Sequence, residues 1–352
     1  MNTIYIRTLK RAEHTVFCVA DGQKTYYDAQ FNKAVPYSSG QQVKRSIIDS
    51  LNNTLNTEGS PTTFLFDVNK KQELKEGEVY ATCNPHYADQ LFGGWMKASK
   101  GGTSRTLKRR SPLSISAMRA LHPLLGGVNT ENASFDRSDK PNNNIIVRDE
   151  KGNELDDDQI ADLLAGKDRS LSRKWIPNNK RATGLFVQDI AIDLRRLFCV
   201  QLNKLEPEMT DEVIEELRKG GWKDSKNIFG ACLVAPKKLQ EEWTKALVNA
   251  LIDWRITSNQ SRTFSLMETL AISISDDANL IGSSIRAKLT EAEKAIPIIE
   301  EEIEGVHTFV TPAAAAYILT QKETIKAMND AKGKLEKMIS GFDFENQMTS
   351  KE

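Results

Sequence analysis

The sequence is short of the features that announce most chemistries. Its four cysteines, Cys18, Cys83, Cys199 and Cys232, lie far apart and form no CxxC pair. That excludes a disulfide framework and leaves reduced, buried thiols as the expectation. The four histidines (His14, His86, His122, His307) are equally dispersed, without HExxH or Cys/His ligand spacing, so no metal is expected. No GxxxxGKS/T loop, GxGxxG fingerprint or GxSxG elbow occurs, so no cofactor, no catalytic residue and no enzyme activity are expected. The Gly-Gly pairs at 93–94, 101–102, 126–127 and 220–221 read as turns. No run reaches the ~18 apolar residues of a membrane span. The opening MNTIYIRTLKRAEH carries basic residues but no apolar core of a signal peptide, so a cytoplasmic chain is expected. Net charge is missing as well, with 48 Lys plus Arg against 48 Asp plus Glu.

What is present is an ordinary globular composition, 39% hydrophobic and 27% charged over 352 residues, enough for a large core with an insertion. Alternation around Thr3–Arg7 and the apolar run His14–Ala20 predict an opening pair of strands, with a turn at Asp21-Gly22. Val43, Ile47, Leu51 and Leu55 predict a helix from Gly40 to about Leu55. Thr62–Val68 and Glu78–Cys83 read as further strands. The order fits an α+β fold, an RRM-like (ferredoxin-like) palm with helices on one face of an antiparallel sheet. From about Phe92 to Ala182 the texture turns to Gly, Ser, Asn and charge, too long for a loop and therefore a functional insertion. Regularity returns over Gly184–Leu202. Leu239, Trp243, Leu247 and Leu251 mark an amphipathic helix, Leu270–Ser275 a strand, and Ala313 to about Ile339 a closing helix. Thr349–Glu352 is expected to fray.

Charge distribution carries the functional information. Ser39 followed by Gln42 is a capping-box pattern that starts the first helix. A helix start is an anion site through its free amides and dipole. Lys44 and Arg45 sit in the early turns, where the dipole disfavours cations; the first acid is Asp49. A phosphate would neutralise both; the alternative is a plain solvated helix face. Between Gln90 and Thr130 stand seven cations, Lys97, Lys100, Arg105, Lys108, Arg109, Arg110 and Arg119, and no acid. That is the footprint of a polyanion groove, against a disordered basic loop as the alternative. Trp95 and Trp175 are candidate stacking platforms, or core residues. Acid gathers at Asp149–Asp158 and Glu291–Glu304, as solvated faces or as the acidic side of a head-to-tail contact between copies.

The segment PYSSGQQVKRSII (Pro36–Ile48) resembles the Ser/Gly–Gln–x–Lys-Arg segment of the RAMP-superfamily backbone subunits of CRISPR complexes, the Cas-seven or DevR group. ADQLFGG (Ala88–Gly94), RRSPLSISAMRAL (Arg109–Leu121) and TGLFVQDIAIDL (Thr183–Leu194) resemble it in the same order, over roughly Ile4–Leu202. A weaker match is SNQSRTF (Ser258–Phe264). The resemblance implies a palm over residues 1–91 and 183–345, the latter with the C-terminal helices, and a finger and thumb insertion over 92–182, the thumb within Asn129–Ala182. It implies a non-catalytic subunit of a type I Cascade surveillance complex, many copies lining a CRISPR RNA. Ser38, Ser39, Gln41, Gln42, Lys44 and Arg45 would grip the guide backbone, with Lys108, Arg109 and Arg110 as guide or target contacts. Trp175 or Ile176 would wedge between bases. The implied partners are CRISPR RNA, a target DNA or RNA strand, further copies of the chain and other Cascade subunits, with no membrane.

Two alternatives stand beside this. Type III relatives cut target RNA with an acid upstream of the Pro–Ser–Gly segment, and Asp28 precedes Pro36 by eight residues; a surface turn explains Asp28 as well. The other is an α+β scaffold whose basic stretch binds protein.

Overall fold

The structure is a computed structural model describing residues 1–18, 22–98, 105–140, 142–256 and 264–348. Lys100, Gly101-Gly102, Ser258–Thr263 of the SNQSRTF match, and Thr349–Glu352 lie outside the described residues, as do Asp21 and the end of His14–Ala20.

The expected opening pair of strands is one element, β1 (Thr3–Thr15). Thr8, Leu9 and Lys10 are all buried, because both faces of the sheet are covered at its centre, and the alternation is hidden there. The hairpin β2 (Thr25–Asp28) and β3 (Lys33–Ser38) leads into α1 (Gly40–Leu55), which buries Val43, Ile47 and Leu51 as its spacing requires. β4 (Thr63–Val68) and β5 (Leu74–Tyr80) pair only with each other and stand off the palm with Phe64, Phe66, Val68 and Leu74 exposed. α2 (Ala88–Gly93) then leads to the small ladder of β6 (Trp95–Lys97) and β7 (Leu107–Arg109).

The short strands β8 (Leu113–Ile115) and β9 (Met118–Ala120) return the chain to the palm. Thus two palm strands fall inside residues 92–182, where an insertion was expected. β10 (Gly126–Asp136) pairs with β11 (Arg173–Asp193) around a tip that holds α3 (Asp157–Leu164). After α4 (Leu194–Leu197), the strands β12 (Cys199–Gln201), β13 (Lys223–Asn227) and β14 (Gly230–Val234) form a separate sheet, with α5 (Asp211–Lys219) between β12 and β13. α6 (Lys237–Asp253), carrying Leu247 and Leu251 inward, leads to β15 (Thr269–Ser275). α7 (Ala278–Ser284), the hairpin β16 (Ile285–Leu289) and β17 (Ala295–Ile299), β18 (His307–Val310) and α8 (Ala327–Ser340) complete the chain.

The palm order β15-β1-β11-β9, antiparallel throughout, is the split βαβ arrangement, with α1 and α6 as its two crossover helices. The α+β palm read from the sequence is therefore present. Ile4, Ile6, Phe186, Ile190, Ile192, Ile272 and Ile274 meet the inner faces of α1 and α6 in one core. Leu9, Leu185 and Ala271 face the other way into a smaller core with Ile285, Val310, Ala314 and Ile318. That second core explains why the expected closing helix begins only at Ala327. Ala314 and Ile318 are drawn into it, and the Thr324 amide bonds the Val310 carbonyl at 2.9 Å, so burial overrides the helix propensity of the alanine run.

Candidate nucleic-acid interface

α1 starts where β3 ends. Ser38 is fully buried, and the Ser39 hydroxyl caps the helix by accepting the Gln42 amide at 3.3 Å. Among the described residues the return bond of a capping box, from the Gln42 side chain to the Ser39 amide, is not formed. Gly40 is there for closeness: a Cβ would lie 2.6 Å from the Ile115 carbonyl oxygen. Gln41 and Arg45 are exposed. Arg45 reaches Asp49, one turn on, at 2.9 Å, so an internal acid already answers it. Lys44 turns inward, and its Nζ donates to the Gly93 carbonyl at 2.8 Å; burial holds its pKa below the ordinary lysine value. Lys44 is therefore a tether as well as a cation.

The tether joins the helix start to the second basic segment. At Gly94 (φ +74) a Cβ would stand 2.6 Å from the Arg109 carbonyl, and Trp95 pairs with Arg109 across the β6–β7 ladder. Side chains alternate along that strand. Lys108 and Arg110 point out, Lys108 with Glu206 3.6 Å away, while Arg109 points in and is 3% exposed. Its guanidinium donates to the carbonyls of Leu91, Cys199 and Arg196 and to the Glu208 carboxylate at 3.0 Å. Arg109 is thus corrected from an RNA contact to a buried cross-link. Trp95 is likewise core, 6% exposed, with its indole N–H on the Glu208 carbonyl.

Trp175 stands apart from these residues. The β10–β11 pair leaves the palm at Gly126 opposite Gly184 and runs to Asp136 opposite Arg173. Nine residues of strand put Trp175 roughly 30 Å beyond Gly184. Gly126 and Gly127 are strand residues here rather than the expected turn; a Cβ on Gly126 would lie 2.6 Å from the Ala120 Cβ. On one face the Arg173 guanidinium lies 4.1 Å from the Trp175 ring centroid; on the other, where Phe135 stands opposite Lys174, the Arg137 guanidinium lies 4.8 Å from the Phe135 ring centroid. Trp175 is 56% and Ile176 44% exposed.

The acidic runs are locally employed. Asp149 closes a turn onto Lys151 and Asn153, and Asp156 completes a capping box with Gln159 at the start of α3. Glu300, Glu301 and Glu302 bond Arg286, Thr320 and Lys322 of the same chain. Asp28 accepts the Phe31 amide at 2.9 Å and closes the β2–β3 hairpin. The four cysteines are free and buried, as expected, and burial pushes the Cys83 thiol up to about 11. Among the described residues no three metal-ligating side chains gather, and no helix is long and apolar enough to cross a membrane.

Two groupings escaped the sequence. The open palm face carries Tyr26 against Tyr37, Arg119 beside Tyr37, and the Arg7–Asp189 pair at 2.6 Å. Arg196 stacks on Phe229, its guanidinium carbon 3.6 Å from the ring centroid. The adjacent arginines of Asp193–Leu197 were a visible signal for the second; nothing in the sequence joins the tyrosines to Arg119.

No protein-family model matches the chain, and no curated protein matches its sequence. Among solved structures, a chain of a CRISPR RNA-guided surveillance complex matches with a TM-score of 0.41 and 11% identity, covering 94% of this chain and 99% of that one. A chain of a CRISPR RNA-guided surveillance complex in a pre-nicking state matches with a TM-score of 0.45 and 10% identity, covering 96% and 89%. Likenesses this distant carry no functional weight.

Proposed function

We propose that the chain is a non-catalytic RNA-binding subunit that polymerises along a CRISPR guide RNA and presents it to a target strand beside other Cascade subunits. The observation that carries this reading is the Lys44–Gly93 bond, which ties the capped start of α1 to the end of α2, where the chain enters the β6–β7 ladder that carries Lys108, with Arg110 just after it. A helix start and outward cations on neighbouring elements make a track for a phosphate backbone rather than a pocket for one small anion. The ribbon supports the reading independently. Two strands exposed on both faces contribute little to their own stability, and they carry Trp175, Ile176 and Phe135 into solvent, where bases can stack on them. Sequence specificity then belongs to guide pairing, with the protein holding backbone and shape. A target DNA or RNA strand is the expected partner of the displayed guide.

The test is co-expression with a CRISPR array, purification, the 260/280 nm absorbance ratio and sequencing of any bound RNA. Guide-length, array-derived RNA is the expected result. A clean protein spectrum with companion subunits present would overturn the reading.

A further inference from the structure

The outward cations Lys108 and Arg110 also line a cleft of about 600 Å³. β6 contributes Met96 to its lining, β7 Lys108, and the residue after β7 Arg110; α4 contributes Arg196, β12 contributes Gln201, and the β13–β14 turn contributes Phe229. The volume suits one nucleotide.

Three features of the lining point to the same ligand. The first is unbalanced charge. Glu208 is matched by Arg109, and Glu206 lies 3.6 Å from Lys108. Arg110 has no carboxylate within ion-pair distance among the described residues. Arg196 reaches Asp193 only at 3.9 Å, and Asp193 is already held by Arg195 at 2.8 and 3.1 Å. Burial first, then neighbouring Arg109 and Arg110, lower the Arg196 pKa against the pull of Glu208 and Asp193. An anion would relieve that crowding. The second is a flat surface, the Arg196 guanidinium on the Phe229 ring at 3.6 Å, the kind of plane on which bases stack. The third is Gln201, 7% exposed, with both side-chain amide atoms buried and lacking a hydrogen-bond partner. A buried, unpartnered amide is costly, and its donor and acceptor side by side match a base edge such as that of adenine.

We propose that this cleft is a nucleotide subsite, in which the Arg196–Phe229 stack receives a nucleobase, the Gln201 amide reads its edge, and Lys108 and Arg110 hold its phosphate. For a nucleotide within a bound strand the proposal rests on the guide-RNA reading; a free nucleoside monophosphate offers the same chemistry. Either source gives the protein a base preference at one position, which a backbone track alone does not.

The experiment uses the full chain, stripped of nucleic acid at high salt and titrated with AMP and with the hexanucleotides A6, U6, C6 and G6. The expected result is one preferred base, with affinity for it falling about tenfold in Phe229→Ala and in Gln201→Leu, the size of one good base contact. Gln201→Leu removes an unpartnered buried amide, so its unfolding midpoint should hold or rise, separating lost recognition from lost folding. A hexamer binding far more tightly than AMP assigns the site to a strand, and equal affinity assigns it to a free nucleotide. Both variants binding every probe like the wild type would overturn the proposal, with a buried water then satisfying Gln201. Array-derived RNA retained in that case leaves the guide reading standing; variant-sensitive AMP binding without such RNA leaves the cleft standing alone.

Discussion

Lys108, Arg109 and Arg110 are three consecutive cations with two different duties, and strand geometry separates them. Removing the charge in Arg109→Met leaves the Glu208 carboxylate, 6% exposed, without its cation and takes a donor away from three carbonyls. Breaking a buried pair from one side costs about 3–5 kcal/mol, so urea unfolding should show a large loss. Lys108→Ala and Arg110→Ala should stay within about 0.5 kcal/mol of the wild type while weakening RNA binding. Equal stability in all three would sink the distinction. The sequence made the basic run legible, but a charge count does not say which cation points inward; the two-residue strand period does, once the segment is known to be a strand. Lys10 carried no signal at all. It is fully buried, its Nζ on the Thr269 hydroxyl at 2.9 Å and over the Trp254 ring at 4.7 Å. Burial foremost, with Arg255 nearby, holds its pKa well below the lysine range. The unfolded chain therefore binds a proton that the folded chain lacks between that lowered value and the ordinary ~10.4. Stability from this group rises with pH across that window and levels off above it. Lys10→Met should be more stable at neutral pH and lose that rise, as urea midpoints at pH 7 and 9.5 would record; an unchanged pH slope would show that Lys10 titrates normally.

Among the elements, α1 was readable to its boundaries because Val43, Ile47 and Leu51 keep a strict four-residue spacing on a single buried face. β8 and β9 were not readable. Each is three residues long and set among serines, and each joins the palm through partners distant in sequence: β8 through β11, and β9 through β11 and the much earlier β3. β4 was legible as a strand, while β5 overlaps the expected Glu78–Cys83 only over Glu78–Tyr80; both were assigned to the palm, because Phe64, Phe66 and Val68 look like core residues and are in fact exposed. The ribbon is the element whose removal is most informative. Glu131 lies opposite Asn179 and also bonds Arg181 at 2.7 Å, so the strand ends there are well held. Replacing Asn132–Asn178 with Asn-Gly, a two-residue hairpin turn, should leave the palm folded with a nearly unchanged unfolding midpoint. RNA binding or assembly should fall. A collapse of the palm would mean that the ribbon serves folding instead.

At the scale of the molecule the neutral net charge is uninformative, and the arrangement of charge decides. Lys44 ties the start of α1 to Gly93, from which the chain enters the β6–β7 ladder carrying Lys108, while Asp149 and Asp156 and the acids of 300–302 are engaged within their own neighbourhoods. The sequence foretold two basic segments; their meeting is a consequence of topology, and the Lys44–Gly93 tether was invisible without it. If those segments track a single-stranded backbone, binding releases counterions and log affinity falls linearly with log salt, by about 0.7 per phosphate neutralised. Replacing the exposed cations Arg45, Lys108 and Arg110 together by alanine should then flatten that slope by about 2. Arg45 has an internal partner in Asp49, so its own share should be the smallest of the three. The measurement is RNA affinity between 50 and 300 mM salt for the wild type, the triple variant and each single variant. A triple variant that binds less tightly with an unchanged slope would place these side chains outside the phosphate track and move the search to Arg119 and Tyr37 on the open palm face.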